Sequence, residues 1–218
     1  MRWLNAAAVM ALVGAGLTGA EKTKARVVRF TKDDVGKLPA GWKAEQTHQG
    51  ANSSIWKVVA DDTAPSGKGY VLAQTAQSPN RVFNLCVVED STYKNPTLSV
   101  SFKAMRGKND QGGGFVWRYL DANNYYIARM NPLESNYRVY KVVAGVRKEL
   151  KRKENLSVRA GEWHKLKVRQ KGNHIECFLD GKKMLDARDD TFKKAGKVGL
   201  WSKSDAQTHF DGFRVSGK

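Results

Sequence analysis

The sequence predicts an all-β chain, a single domain of two packed sheets or a barrel. Three observations predict it. Short runs with apolar and polar residues alternating recur along most of the chain. Turn chemistry separates them, as in DANN, VAGV, KGN and DGKK. No segment holds a sustained helical period, and about a dozen short strands in one domain fit stacked or closed sheets.

Residues 1–20 read as a leader rather than as part of the fold. MRW supplies a positive start, LNAAAVMALVGAGL an apolar run, and TGA small residues before Glu21. That order marks a secretory signal cut after Ala20, and the run is too short and too rich in Ala and Gly for a membrane span. The expected location is therefore secreted or periplasmic. Residues 21–218 then form one domain, with no Pro/Ser-rich linker to divide them.

The strand runs follow in order: ARVVRF, SIWKVVA, GYVLAQT, RVFNLCVV, LSVSFKAM, GFVWRYL, NYYIARM, YRVYKVV, HKLKVRQ, IECFLDG, KVGLWSK and THFDGFRV. In LSVSFKAM, Leu98, Val100, Phe102 and Ala104 alternate with Ser99, Ser101 and Lys103. In HKLKVRQ, Leu166 and Val168 oppose Lys165, Lys167 and Arg169. Each pattern is a strand with one apolar and one wet face. Cys86 and Cys177 lie in two of these runs and form either a bridge or two buried thiols.

The formal net charge is +17, of which the leader contributes only Arg2. Such an excess suits an anionic partner such as acidic polysaccharide, lipopolysaccharide or nucleic acid, or simply a solvated basic surface. Much of it lies between Arg138 and Lys171, including VRKELKRK, a run also typical of a sheet edge guarded by lysines.

The stretch from GGGFVWRYLDANNYYIARMNP onward, with EWHKLKV, LDGKK, GKVGLW and the final FDGFRV, resembles the concanavalin A-like lectin/glucanase superfamily. Within it, the chain is similar to secreted bacterial proteins of the 3-keto-disaccharide hydrolase domain and to laminin-G-like modules. The resemblance runs from about Phe30 to Val215 and implies a jelly-roll sandwich of two antiparallel sheets. It implies a carbohydrate partner, which with the net charge becomes an anionic polysaccharide, and no specific nucleic acid is expected. It also implies binding or processing of glycosides, 3-keto glycosides among them. Asp211 in HFDGFRV resembles a terminal-strand acid that helps hold structural Ca²⁺; otherwise it is a turn or edge carboxylate.

Strand parity then assigns faces. Phe115, Trp117 and Tyr119 share one parity and read as core, which sends Arg118 to the opposite face, the concave groove of this fold. The return strand sends Tyr125, Arg129 and Asn131 to the groove. The next adds Arg138 and Tyr140, and GKVGLWSK adds Trp201 and Lys203. Aromatic rings suit the apolar faces of pyranoses, while Arg and Asn suit their hydroxyls. The alternative is an aromatic and Arg ladder that only stabilises the sheet.

Catalytic motifs are sparse. The glucanase pattern of two carboxylates on one strand face is missing, because the paired acids are adjacent and point apart. His48, His164, His174 and His209 lack metal-site spacing. His209 and Lys203 are the acid or base candidates, with Arg118 or Arg129 to stabilise an enolate. The leading expectation is sugar recognition, with a hydrolase or lyase second and a polyanion-binding envelope protein third.

Overall fold

A computed structural model describes residues 25–49 and 54–218, so the leader lies outside the described residues. In chain order the strands are β1 (Arg26–Val27), β2 (Trp42–Thr47), β3 (Trp56–Ala60), β4 (Tyr70–Gln74), β5 (Phe83–Tyr93), β6 (Pro96–Arg106), β7 (Gly113–Asp121) and β8 (Asn124–Asn131). They continue as β9 (Asn136–Val143), β10 (Val146–Lys153), β11 (His164–Lys171), β12 (His174–Leu179), β13 (Lys182–Arg188), β14 (Gly196–Lys203) and β15 (Gln207–Gly217). One sheet has the order β13-β12-β11-β6-β15-β4-β3, with β1 also on β15; the other has β10-β9-β8-β7-β14-β5-β2. The strand pairings are antiparallel, giving a jelly-roll sandwich.

Two strands missing from the sequence reading, β2 (WKAEQT) and β13 (KKMLDAR), both lie at sheet edges. Edge strands have only one neighbour and tolerate polar residues, which blurs their alternation. The run VRKELKRK forms β10, also an edge, and its lysines Lys148, Lys151 and Lys153 are exposed.

The core lies between the sheets. Phe102, Leu166, Val168, Phe210 and Phe213 face Phe115, Trp117, Tyr126, Met130 and Leu200, all buried. Trp117 stacks on Tyr126 at 5.5 Å between centroids, and its indole N–H donates to Gln170 of the opposite sheet. Burying such rings contributes roughly 1.5–3 kcal/mol each, and the hydrogen bond lets the indole sit dry. Cys86 and Cys177 belong to opposite sheets and are free, buried thiols whose pKa values are pushed up by burial.

The parity reading of β7 fails after Trp117. Arg118 has φ +44°, and the pairing register with β8 and β14 shifts around it. This is a β-bulge, which reverses the facing of the residues beyond it. Tyr119 therefore leaves the inter-sheet core and joins the outer face of the seven-stranded sheet. Arg118 is not a groove residue. Its side chain is buried and donates to the carbonyls of Lys94, Gly172 and Phe192.

Trp117→Ala should cost roughly 3–5 kcal/mol by chemical denaturation, as for a core aromatic. Arg118→Ala should also destabilise, by about 1–3 kcal/mol for each carbonyl left without water or donor. A wild-type midpoint for Arg118→Ala would show that the three-carbonyl contact is idle.

Candidate functional site

The outer face of the seven-stranded sheet collects most of the residues singled out by parity. Register aligns Trp201 of β14 with Gly114 of β7, Gly114 with Arg129 of β8, Arg129 with Arg138 of β9, and Arg138 with Arg152 of β10. Neighbouring strands are about 4.8 Å apart, so this row runs across five strands. Gly114 presents no side chain in it, because a Cβ there would collide with the Ala128 carbonyl oxygen. The next row brings Ile127 against Tyr140.

One half of the face is aromatic. Phe83 leans on Trp201 at 5.5 Å, and Tyr119 stacks on Tyr125 at 5.9 Å. The Tyr125 hydroxyl shares a 2.5 Å hydrogen bond with Thr47, and burial pushes its pKa up. Arg147 of β10 lies across this half, with its guanidinium 4.5 Å from the Tyr140 ring centroid, 5.0 Å from Phe83 and 6.0 Å from Trp201. Trp201 and Tyr140 are thus packed rather than open rings.

The other half is polar. Arg129 is 2 % exposed and donates to Asn136 at 2.9 Å and to Glu134 at 2.8 Å. Asn131 donates to Asp110, whose second oxygen lies 3.3 Å from Lys203 Nζ. Asp205 accepts the amides of Lys108, Asn109 and Asp110 and so fixes the loop carrying Asp110. Arg138 pairs with Glu134, Glu149 and Glu154. Several buried donors on this face, among them Arg129 Nε, Arg138 Nε and Arg147 Nη1, have no hydrogen-bond partner among the described residues. Buried guanidinium N–H groups are costly to leave unmatched, and a hydroxyl-rich ligand or water matches them.

With this geometry in place, the comparisons are informative. A family model described as the 3-keto-alpha-glucoside-1,2-lyase-like domain matches residues 32–216. The chain belongs to this family. No curated protein matches its sequence. Among solved structures it is similar to the carbohydrate-binding module CBM66 from Bacillus subtilis, with TM-score 0.65, 17% identity, and 81% of this chain and 96% of that one covered. It is also similar to a Bacillus licheniformis β-glucanase (TM-score 0.56, 16% identity, 92% and 99% covered). A third is a glycosyl hydrolase-like protein from Parabacteroides distasonis (TM-score 0.52, 16% identity, 81% and 100% covered). At these identities the structures share the jelly-roll sandwich fold alone; the lyase-like family itself rests on the sequence match.

Within this family member, the two acid–base candidates do not share a site. Lys203 borders the face just described, whereas His209 lies on the outer face of the eight-stranded sheet. His209 Nδ1 sits 2.7 Å from Asp61, which also pairs with Lys103 at 2.6 Å. Burial pushes the His209 pKa down against the pull of Asp61, and the Lys103 charge pushes it lower still. Asp211 is on the same remote face and accepts the Ser66 amide at 2.6 Å. Among the described residues, one trio has metal-ligand proximity: His174, Glu176 and Asp186. Arg169 and Lys183 already neutralise its acids, so the cluster is an ion-pair network. Sequence reasoning missed Asp110, Glu134, Asn136 and Arg147 because three sit in or beside loops and the fourth belongs to a run that reads as edge lysines.

Burial alone would push Glu134 up, but Arg129, with Asn136 and Arg138, outweighs it and holds the carboxyl at about 2. Its unfolded value is about 4.3, so its contribution is full above that and is lost as pH falls through 2. Glu134→Gln should lower the urea midpoint at neutral pH and flatten the acid limb of a stability–pH curve. An acid limb identical to wild type would rule out this charge–charge contact.

Proposed function

We propose that the outer face of the seven-stranded sheet recognises a saccharide, with the polar half and the Arg147 guanidinium as its contacts and the aromatic half as its support. The observation that carries this reading is the set of unmatched buried guanidinium donors, Arg129 Nε, Arg138 Nε and Arg147 Nη1, on one face with Asn131, Lys203 and Tyr140. The guanidiniums, an amide and an ammonium supply donors at fixed spacing, and Asp110 and Glu134 supply acceptors, a set suited to sugar hydroxyls. Membership of the lyase-like family and likeness to CBM66 support a carbohydrate partner. The chain then works outside the cytoplasm, its leader removed after Ala20. Mass spectrometry of exported protein should find its N-terminus at or near Glu21.

Lys203→Met and Arg147→Met test the face with little risk to the fold. Both residues are partly exposed, and methionine keeps an apolar stem over the rings. Each should lower affinity for a bound oligosaccharide about tenfold or more in titration calorimetry, as expected for a lost charge-assisted hydrogen bond. Unchanged affinity in both variants would reject this face.

The family match favours a second reading, turnover of a 3-keto α-disaccharide. The ketone acidifies the proton at C2. A base removes that proton, the electron pair moves onto the C3 oxygen, and the enolate collapses to a C1=C2 double bond. The C1–O bond breaks, and the departing sugar oxygen takes a proton. In this reading Arg129 stabilises the enolate oxygen and the Asp110–Lys203 pair exchanges the protons. Release of the free sugar by wild type, with a loss of kcat in Lys203→Met at saturating disaccharide beyond its loss of affinity, supports this reading. No release by wild type leaves recognition alone.

A further inference from the structure

The eight-stranded sheet also has an outer face, and it carries a cavity of about 770 Å³ unrelated to the face above. Its floor is β6, where Ser99 and Ser101 present short side chains. Register surrounds them with long charged ones. Ser99 lies between Lys167 of β11 and Arg214 of β15, and Ser101 between Lys165 and Asp211. The two cations flanking Ser99 sit two strand spacings apart, about 10 Å, so the row is a trough with basic walls. Phe178 of β12 extends the row next to Lys167, whose Nζ is 5.1 Å from the ring.

Lys165, Lys167 and Arg214 form no ion pair among the described residues, although the chain makes many elsewhere. Unpaired cations around a hydroxyl floor attract an anionic ligand. Asp211 narrows the class. One of its oxygens holds the Ser66 amide, and the other accepts no hydrogen bond among the described residues. A carboxylate in the trough repels an evenly charged phosphodiester backbone but accepts from a sugar hydroxyl. The Phe178 ring suits an apolar C–H face of a pyranose.

The wall is held before any ligand arrives. The loop 61–69 borders the trough through Pro65 and Ser66. Asp61 receives the Lys103 ammonium at 2.6 Å and His209 at 2.7 Å, and it caps Thr63. Trp163 donates to the Thr63 hydroxyl at 2.9 Å, and Lys103 lies 4.7 Å over its ring. His209 and Asp211, which the saccharide face leaves out, are thereby both accounted for as loop anchors. A rigid wall reduces the ordering cost of binding.

We propose that this trough is a second binding site, for an acidic saccharide bearing carboxylate or sulfate groups. It does not depend on the first face, since the two lie on opposite sheets.

The test is titration calorimetry with four probes: a heparin hexasaccharide, an oligogalacturonate of similar length, neutral maltohexaose and a single-stranded DNA oligomer. The wild type should bind at least one acidic saccharide more tightly than DNA, with maltohexaose unaffected by trough variants. Lys167→Met with Arg214→Met should weaken acidic-saccharide binding by about tenfold to a hundredfold, the loss expected for charge-assisted hydrogen bonds. Ser99→Trp, which fills the floor without altering charge, should do the same, with thermal melts confirming that each variant is folded. Lys148→Glu with Lys151→Glu on the β10 edge should change it far less. Equal or tighter DNA binding overturns the saccharide assignment. Retained acidic-saccharide affinity in both folded trough variants, or a larger loss in the β10 variant, overturns the site.

Discussion

The Arg118 guanidinium ties together the connections at one end of the sandwich. Lys94 belongs to the turn between β5 and β6, Gly172 to the β11–β12 hairpin, and Phe192 to the link from β13 to β14. Two of those connections pass from one sheet to the other. One buried side chain thus satisfies carbonyls that would otherwise lie idle where neither sheet's ladder reaches. The bulge that aims Arg118 there also turns Tyr119 outward, where it stacks on Tyr125 and reaches Glu45. The aromatic half of the saccharide face is therefore built by the same backbone irregularity that closes the sandwich end.

The seven-stranded sheet is apolar on both sides, which is unusual for an antiparallel sheet with a solvent face. Trp117, Tyr126 and Leu200 fill the inner side; Trp201, Tyr125 and Val142 fill the outer. Glu134, Glu149 and Glu154 gather around Arg129, Arg138 and Arg152 at that sheet's far edge and balance their charge locally. The eight-stranded sheet is arranged differently. Its outer side is serine, lysine and arginine over an apolar core, so the chain's positive excess is displayed there and along β10. The two sheets thus offer different chemistry: buried polarity with guanidinium donors left over on one, and open positive charge on the other.

The period of two, written into LSVSFKAM, HKLKVRQ and NYYIARM, was enough to determine the all-β class and the inward residues of the central strands. It also determined that Tyr125, Arg129, Tyr140 and Trp201 turn away from the inter-sheet core, because side-chain direction in a regular strand follows from local backbone geometry alone. The lysine-rich run was legible as an edge for the same local reason. Tertiary structure decided the rest. Whether β7 stays in register past Trp117 depends on what β8, β14 and three distant carbonyls offer to Arg118, and no local pattern encodes that. Lys203 and His209, six residues apart in sequence, end on opposite outer faces because β14 and β15 enter different sheets. Arg147 covers Trp201 and Tyr140 only because β10 folds back on β9, and Lys167 meets Arg214 across Ser99 only because β11, β6 and β15 lie side by side. Alternation is a property of one strand, whereas sites are made by neighbours that the chain brings together from far apart.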